Sequence, residues 1–380
     1  MAVGLATGLD TLAAQAYGSG NKHMVGLYTQ RMVMFMVPLM VPMMVMWWYA
    51  EGLLMLILPD PEVVALTGLY LRIMSLRIPA FVLFECGKRY VQAQGMFGAT
   101  TLVLLIGAPL NAVLMWFLVW RLNWGFVGAP IAITISENLM PVLLFLYVWL
   151  IDGSQCWGGF SKRAFTNWGP MVRLSLPGML MNMAEFSVVE VLTLASAQFG
   201  STELAAQSAV VTIVTITYNV FLPTSVAAST RVANWVGAGA INAARMSAKV
   251  VPFIVVVQTA LRERLPVLFT RDPDVARIII AVLPIATCMQ IFDASAVTSH
   301  GLLRGIGRQE LAGYFNIGAY YLVAIPISLS TAFYLDWEIQ GLWVGFAAGL
   351  FLVAAFEFWW FFRSDWGEVV EKAMLRNESD

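Results

Sequence analysis

The chain has 380 residues, of which 59% are hydrophobic and only 12% are charged, and it is rich in methionine (21), tryptophan (14) and phenylalanine (23). Soluble domains carry about 25% charged residues, so this composition indicates an integral membrane protein. We therefore expect its surface to contact the lipid bilayer. The net charge of −1 offers no basic surface to a nucleic acid, and we expect no nucleic-acid partner.

Sequence patterns of enzymes and metal sites are missing. HExxH, P-loop and GxSxG patterns do not occur, so the sequence does not support an enzyme. Cys86, Cys156 and Cys288 have no metal-binding spacing and are interpreted as small core residues. We therefore expect neither a metal nor a cofactor.

Apolar stretches of membrane-spanning length follow one another along the chain. A helix needs roughly 20 residues to cross the ~30 Å hydrocarbon layer. The pattern predicts an all-α, polytopic membrane protein with about eleven spans. We divide it into an N-lobe (1–152), a cytoplasmic inter-lobe loop (153–170), a C-lobe (171–362) and a polar cytoplasmic tail (363–380). The predicted spans are 1–19, 27–57, 64–92, 98–120, 125–151, 171–199, 204–236, 243–262, 275–303, 311–335 and 339–362.

Basic residues are distributed unequally between the two sets of loops and helix ends. Most of the 22 Lys and Arg residues fall on the set that contains Lys162 and Arg163. Cytoplasmic loops are enriched in Lys and Arg, so we expect this set and the C-terminus to be cytoplasmic and Met1 to lie outside. The opposite set holds Arg121, Arg262, Arg264, Arg271 and Arg277.

Two short patterns recur in the same direction along the chain. QAYGSG at 15–20 matches NWVGAG at 234–239, and QAQG at 92–95 matches RGIG at 304–307. A parallel duplication of this kind predicts two helical lobes around a central cavity. The two offsets differ because span 243–262 is short; we read this as a local deletion or gene-model error, or as a tilted helix in a thinned bilayer.

Glu185 lies near the middle of the predicted helix 174–199, about 17 Å from one end and 21 Å from the other. A charged side chain at that depth costs on the order of 2.5–3.5 kcal/mol on insertion scales. It must therefore face water, find a partner or carry a proton. Asp293, well inside the span 279–303, meets the same requirement. We predict that this pair binds and releases protons, with two structurally hydrogen-bonded acids as the alternative.

Three further residues are candidates for the same site. Glu190 follows Glu185 by five residues, or about 140° around the helix, so it ranks second. Tyr320 and Tyr321 follow Asn316 at helical spacing, and one of them could offer a π-face to a cation beside Asp293. Both could equally be ordinary core or interface tyrosines.

Other charged residues in the spans are interpreted as structural. Asp10 is expected to bond to a neighbouring helix. Arg77, Glu85 and Glu137 are candidates for buried pairs or for snorkelling toward an interface. Arg304 and Arg308 are interpreted as anchors at the cytoplasmic end rather than substrate ligands. Pro177, Pro223 and Pro326 are expected to bend their helices.

Several runs in the right order resemble the multidrug and toxic compound extrusion (MATE) family. GLATGLDTLAAQAYGSGN resembles its second helix, RYVQAQG its fourth, and APLNAVLMWFLV with GFVGAPIA its fifth and sixth. The run from Pro177 to Glu190 resembles helix seven of the eukaryotic branch. ASTRVANWVGAG resembles the end of helix eight, QIFDASAVTSHGLLRGIGRQ helix ten, and NIGAYYLVAIP helix eleven.

The resemblance implies twelve helices in two six-helix lobes, of which we expect the first to be missing from this sequence and the ninth to be short. It also implies an antiporter that exchanges protons, or less often sodium, for organic cations, xenobiotics or secondary metabolites. The acids that match Glu185 and Asp293 line the C-lobe cavity in that family. We expect a monomer in the plasma membrane or the vacuolar membrane.

Two other functions compete with this expectation. A flippase for lipid-linked oligosaccharides shares the fold superfamily, but it should have a basic cavity, whereas the charges inside this C-lobe are acidic. A truncated, non-functional transporter is the other alternative, given the expected missing and short helices.

Overall fold

A computed structural model describes residues 1–56, 60–260 and 273–378, with side chains described outside 251–281, 283 and 377–378. Within these ranges the chain is helical and forms no β-strand, which confirms the all-α prediction. The N-terminal helices are α1 (Ala2–Gly18), α2 (Lys22–Trp48), α3 (Ala50–Leu54), α4 (Pro61–Ser75), α5 (Ile78–Ala93), α6 (Phe97–Met115) and α7 (Gly128–Leu150). They are followed by α8 (Gly169–Ser196), α9 (Ser201–Gly237), α10 (Ile241–Ala260), α11 (Pro273–Gly305), α12 (Gln309–Ile317), α13 (Ile325–Phe333), α14 (Glu338–Arg363) and α15 (Trp366–Glu378).

The predicted spans correspond to these helices, with α4 and α5, and α12 and α13, each forming one span. In the described part of the chain, seven helical segments are long and apolar enough to cross a membrane, or eight if α4 and α5 count as one. The ninth span, expected to be short at 243–262, corresponds to α10 (Ile241–Ala260), and residues 261–272 lie outside the described residues.

The span predicted at 64–92 is broken rather than continuous. Helices α4 and α5 meet at a bend of 45°. Pro79 lies in the first turn of α5, where its ring and missing N–H prevent a straight continuation of the preceding helix.

Glycine turns occupy equivalent places in the two halves of the predicted repeat. Gly20 and Gly239 both have positive φ, at +84° and +70°, and so do Gly95 and Gly307, at +80° and +73°. Each turn closes a helix through equivalent backbone bonds; for instance, the Gly95 amide donates to Gln92 and the Gly307 amide to Arg304. Glycine is favoured here because left-handed backbone is strained for other residues. The parallel repeat is therefore visible in the turns themselves.

The chain forms two compact units. The N-terminal unit contains Ala2 and Leu12–Met171, and the C-terminal unit contains Met1, Val3–Thr11 and Val172–Asp380. The first part of α1 therefore belongs with the C-terminal helices, whereas the sequence analysis placed all of 1–152 in the N-lobe.

The N-terminal unit neutralises its buried charges by pairing. Arg77 forms an ion pair with Glu137, and Glu85 binds both Arg89 and Lys88, as the sequence analysis expected. The inter-lobe loop packs beneath α2 through Gln30, whose side chain donates to the Gly159 carbonyl at 2.8 Å and accepts from the Ser161 amide at 3.0 Å.

The core of the C-terminal unit lies between α8, α9, α11 and α14. Trp343 is 1% exposed and its indole N–H donates to Gln207 at 2.8 Å. Gly345 permits the closest helix contact here, since a Cβ on it would lie 2.2 Å from the Ser328 backbone nitrogen. Large apolar side chains fill the rest of this core: Val188, Leu192, Val210, Phe346, Leu350 and Val353.

The segment interpreted as a polar tail contains a docked helix. On α15, Trp366 and Val369 are buried against α9 and α10. Glu368 lies 2.8 Å from Arg308 and 2.5 Å from Lys372. Its hydrogen bond to Lys372 and the nearby Arg308 guanidinium hold the pKa of the Glu368 carboxyl below its usual range.

The interpretation of the cysteines as core residues is wrong for one of the three. Cys86 and Cys156 are buried, but Cys288 is exposed. Among the described residues no group of three or more His, Cys, Asp or Glu could hold a metal ion.

Candidate functional site in the C-terminal unit

Glu185 and Asp293 lie on α8 and α11 of the C-terminal unit. Asp293 is 4% exposed, whereas Glu185 is only partly buried. Glu185 has no hydrogen bond and no ion pair with any described residue; its charged neighbours are His300, Glu357 and Arg304. An accessible carboxylate without a partner can accept a proton or a cation.

Tyr320 and Tyr218 lie within electrostatic range of both acids. Tyr320 is fully buried, and its hydroxyl has no hydrogen-bond partner in the described part of the chain. The four side chains therefore form one cluster from α8, α9, α11 and the segment after α12. Sequence reasoning missed Tyr218, which stands in a long apolar stretch of α9.

The backbone around Tyr320 departs from an α-helix. Residues Gly318–Ala324 form a π-helical turn between α12 and α13. Pro326 lies in the first turn of α13, where it donates no backbone hydrogen bond, and this favours the wider turn before it. Such π turns are frequent at functional sites because they re-aim side chains.

Two of the predicted site residues are exposed. Glu190 is exposed on α8, and Tyr321 is 41% exposed while its neighbour Tyr320 is buried. This arrangement follows from helical geometry, since neighbouring residues point about 100° apart. Their predicted roles are not tested by this arrangement, and we leave both residues out of the site proposed below.

Arg304 lies in the last turn of α11, at a helix end as expected, and is also buried in a polar contact. It is 8% exposed, lies 3.5 Å from the Asp10 carboxylate and donates to Ser225 Oγ at 3.1 Å. Asp10 thus bonds to a neighbouring helix, as expected. Gly301 allows α11 to approach α9 here, since a Cβ on it would lie 2.5 Å from the Ser225 carbonyl oxygen.

Close to Glu185 lies a polar cluster that the sequence analysis did not identify. His300 Nε2 lies 3.2 Å from Glu357 Oε1 and 3.0 Å from Asn316 Nδ2. The other carboxylate oxygen of Glu357 accepts from Ser299 Oγ at 2.7 Å. Glu357 interrupts an apolar run in the last span. The cost of a charged side chain inside a span, which singled out Glu185, could therefore also have identified Glu357.

A seam of small and polar residues joins the start of α1 to the C-terminal helices. Gln309 is fully buried and its amide donates to Thr11 Oγ1 at 2.9 Å. The Thr11 hydroxyl in turn donates to the Arg304 carbonyl at 2.5 Å. Gly4 permits this contact, because a Cβ on it would meet the Met179 backbone at 2.6 Å.

Comparison with known proteins agrees with this architecture. A sequence model of the MatE family matches residues 1–117 and 177–329. The chain is 37% identical to uncharacterized transporter C4B3.13 of Schizosaccharomyces pombe, over 97% of this chain and 70% of that protein. It is 32% identical to multidrug and toxin extrusion protein 2 of Mus musculus, over 98% of this chain and 67% of that protein.

A solved structure, that of the eukaryotic MATE transporter AtDTX14, matches with a TM-score of 0.90 and 27% identity, over 99% of this chain and 86% of that one. The fold and these matches thus define a multi-pass membrane transporter and not an enzyme. The chain belongs to the MATE family. It spans 56% to 72% of the length of the yeast relatives that it matches.

Proposed function

We propose that this chain is a secondary active antiporter that exports organic cations, whether xenobiotics or secondary metabolites, in exchange for protons. Glu185 and Asp293 would bind proton and cargo in turn. We further propose that it works as a monomer, in the plasma membrane or the vacuolar membrane, with the Lys162 loop in the cytoplasm.

The observation that carries the proposal is that the Glu185 carboxylate is unpaired, among the described residues, within a membrane-spanning helix. This carboxylate is partly accessible, has no bonding partner among the described residues, and sits in a helix that is long and apolar enough to cross a membrane. Burial disfavours the charged form of a carboxylate, and a second carboxylate nearby disfavours it further. Either a proton or a cation neutralises it, so the two compete for one site.

Charge also distinguishes this function from that of a flippase. A lipid-linked pyrophosphate needs free basic groups, but Arg304 is already engaged by Asp10 and Ser225. The other charged neighbours of Glu185 are His300 and the acid Glu357. A cation is therefore the better cargo for this cluster.

The first test replaces the proposed acids by their amides. Glu185→Gln and Asp293→Asn keep shape but cannot exchange a proton, so each should abolish uphill export of ethidium from cells. Export is measured by fluorescence and normalised to the amount of protein in the membrane.

Glu190→Gln is the matched control, since it makes the same change five residues away on the exposed side of α8. We expect it to export normally. Normal export by Glu185→Gln and Asp293→Asn would refute the assignment.

A further inference from the structure

The proposed exchange does not use the cluster around His300. Its four side chains, His300, Glu357, Asn316 and Ser299, come from α11, α12 and α14 and are at most 8% exposed. Burying a carboxylate and an imidazole costs free energy unless the two groups hydrogen-bond to each other or contribute to function. The hydrogen bonds of the cluster indicate which of these two explanations applies.

One nitrogen of His300 faces two partners with opposite requirements. Asn316 Nδ2 lies 3.0 Å from Nε2 and can only donate, whereas Glu357 Oε1 lies 3.2 Å away and, when ionised, can only accept. An unprotonated Nε2 satisfies Asn316 and leaves the Glu357 oxygen without a donor. A protonated Nε2 satisfies Glu357, and the Asn316 amide must then turn its oxygen toward the ring.

The remaining atoms of the cluster fit this exchange of partners. Asn316 Oδ1 and Glu357 Oε1 have no hydrogen-bond partner among the described residues. Ser299 holds the other Glu357 oxygen at 2.7 Å, so the carboxylate is fixed in place while the ring changes state. The hydrogen bonds can thus adopt two patterns that differ by one proton.

His300 also communicates electrostatically with the proposed cargo site. The charged groups that act on it are Glu357 from α14, Glu185 from α8 and Arg304 one turn along α11. The facing residue of α12, Asn316, is neutral, and Arg304 is itself paired with Asp10 of α1. Tyr320, beside α12, and Tyr218 of α9 face Glu185, and Tyr320 also faces Glu357.

We propose that His300 and Glu357 form a second proton site, whose protonation weakens cation binding at Glu185 without sharing an atom with the cargo. The inference rests on the proposed antiport function. One proton binds His300 Nε2 and is shared with Glu357 in the hydrogen bond that forms. The resulting imidazolium repels a cation held by Glu185, because charges interact strongly at low dielectric. The bound cation and this proton therefore weaken each other's binding, although they occupy different atoms.

The test measures ethidium binding to the purified full chain by fluorescence anisotropy between pH 5.5 and 8.5. We expect wild-type affinity to fall steeply as the pH falls. His300→Gln should bind as wild type does at pH 8.5, yet lose about tenfold less affinity on acidification, a typical coupling between two sites. Glu357→Gln removes a negative charge near Glu185, so it should bind more weakly than wild type at pH 8.5 and should also lose less affinity on acidification. His23→Gln, at the chain's only other histidine, is the control and should follow wild type.

The same experiment separates failure of this inference from failure of the proposed function. If Glu185→Gln binds ethidium normally, the proposed function is wrong, and this inference with it. If Glu185→Gln loses binding while His300→Gln and Glu357→Gln keep the full wild-type pH dependence, only the second proton site is refuted.

A second measurement does not depend on substituting the cluster. In the His23→Gln chain, purified with a tag that contains no histidine, His300 is the sole histidine, and its labelled ring gives a single NMR titration. Since coupling is reciprocal, saturating ethidium should lower the protonated fraction of His300. A titration that ethidium does not change would overturn the proposal.

Discussion

Carboxylates within the helices of the two units have different surroundings. In the N-terminal unit, Glu85 and Glu137 are held by basic partners, and such pairs are fixed because removing one partner leaves a charge buried alone. In the C-terminal unit, Glu185 has no such partner among the described residues. A carboxylate that must change its charge during a transport cycle cannot be locked in an ion pair. This difference is why we assign exchange to Glu185 and structure to Glu85 and Glu137.

We predict that removing the Tyr320 hydroxyl alone weakens cation binding. It is buried beside Glu185 and Asp293 and has no hydrogen-bond partner in the described part of the chain. Tyr320→Phe keeps the ring, so the fold should be unaffected. The loss of one hydrogen bond to bound cargo or water should weaken apparent cation affinity about threefold to tenfold.

The measurement is the concentration dependence of cation transport, with expression monitored in parallel. Tyr321→Phe, which makes the same change at the exposed neighbour, should leave the affinity unchanged. Equal affinities for the two variants and wild type would remove the Tyr320 hydroxyl from the site.

At the scale of elements, the sequence repeat identified equivalent positions in the two halves but not the helix crossings. The repeat at 15–20 and 234–239 falls on two equivalent turns in the structure, because positive φ favours glycine. The approach of α13 to α14 at Gly345 depends on which helices meet, and one sequence does not contain that information. The break between α4 and α5 could have been predicted from Pro79, but the continuous apolar pattern obscured it.

Gly345→Ala should destabilise the C-terminal unit. A Cβ at this position would lie 2.2 Å from the Ser328 nitrogen and 2.3 Å from its hydroxyl oxygen, so α13 and α14 must move apart. Overpacking of this kind costs about 1–3 kcal/mol. The midpoint of thermal denaturation of the solubilised protein should fall.

Gly98→Ala provides the comparison, because nothing lies within 4 Å of a Cβ there. Replacing this helical glycine should leave the midpoint unchanged or raise it, since alanine is the better helix former. If Gly345→Ala were as stable as Gly98→Ala, the close packing of α13 and α14 would be wrong.

For the whole molecule, hydropathy and motif order predicted the fold class and the family, because lipid imposes long apolar helices. Glu185 and Asp293 could be singled out for the same reason. Tyr218 and Glu357 could not be joined to them, since they lie on other helices, α9 and α14. His300 shares α11 with Asp293, but its contact with Glu357 depends on how α11 packs against α14. The position of Arg304 at the end of α11 could be predicted from the sequence, whereas its contact with Asp10 depends on α1 joining the C-terminal unit.

The central claim is proton-driven exchange of a cation, and reconstitution tests it most directly. The full chain is placed in liposomes with an acidic lumen, and radiolabelled tetraethylammonium, which is permanently charged and does not cross lipid, is supplied outside. We predict accumulation in the lumen above the outside concentration, which ends when the pH gradient is dissipated. Glu185→Gln liposomes should show none. Accumulation driven by a sodium gradient but not by the pH gradient, or equal accumulation with Glu185→Gln, would contradict the account.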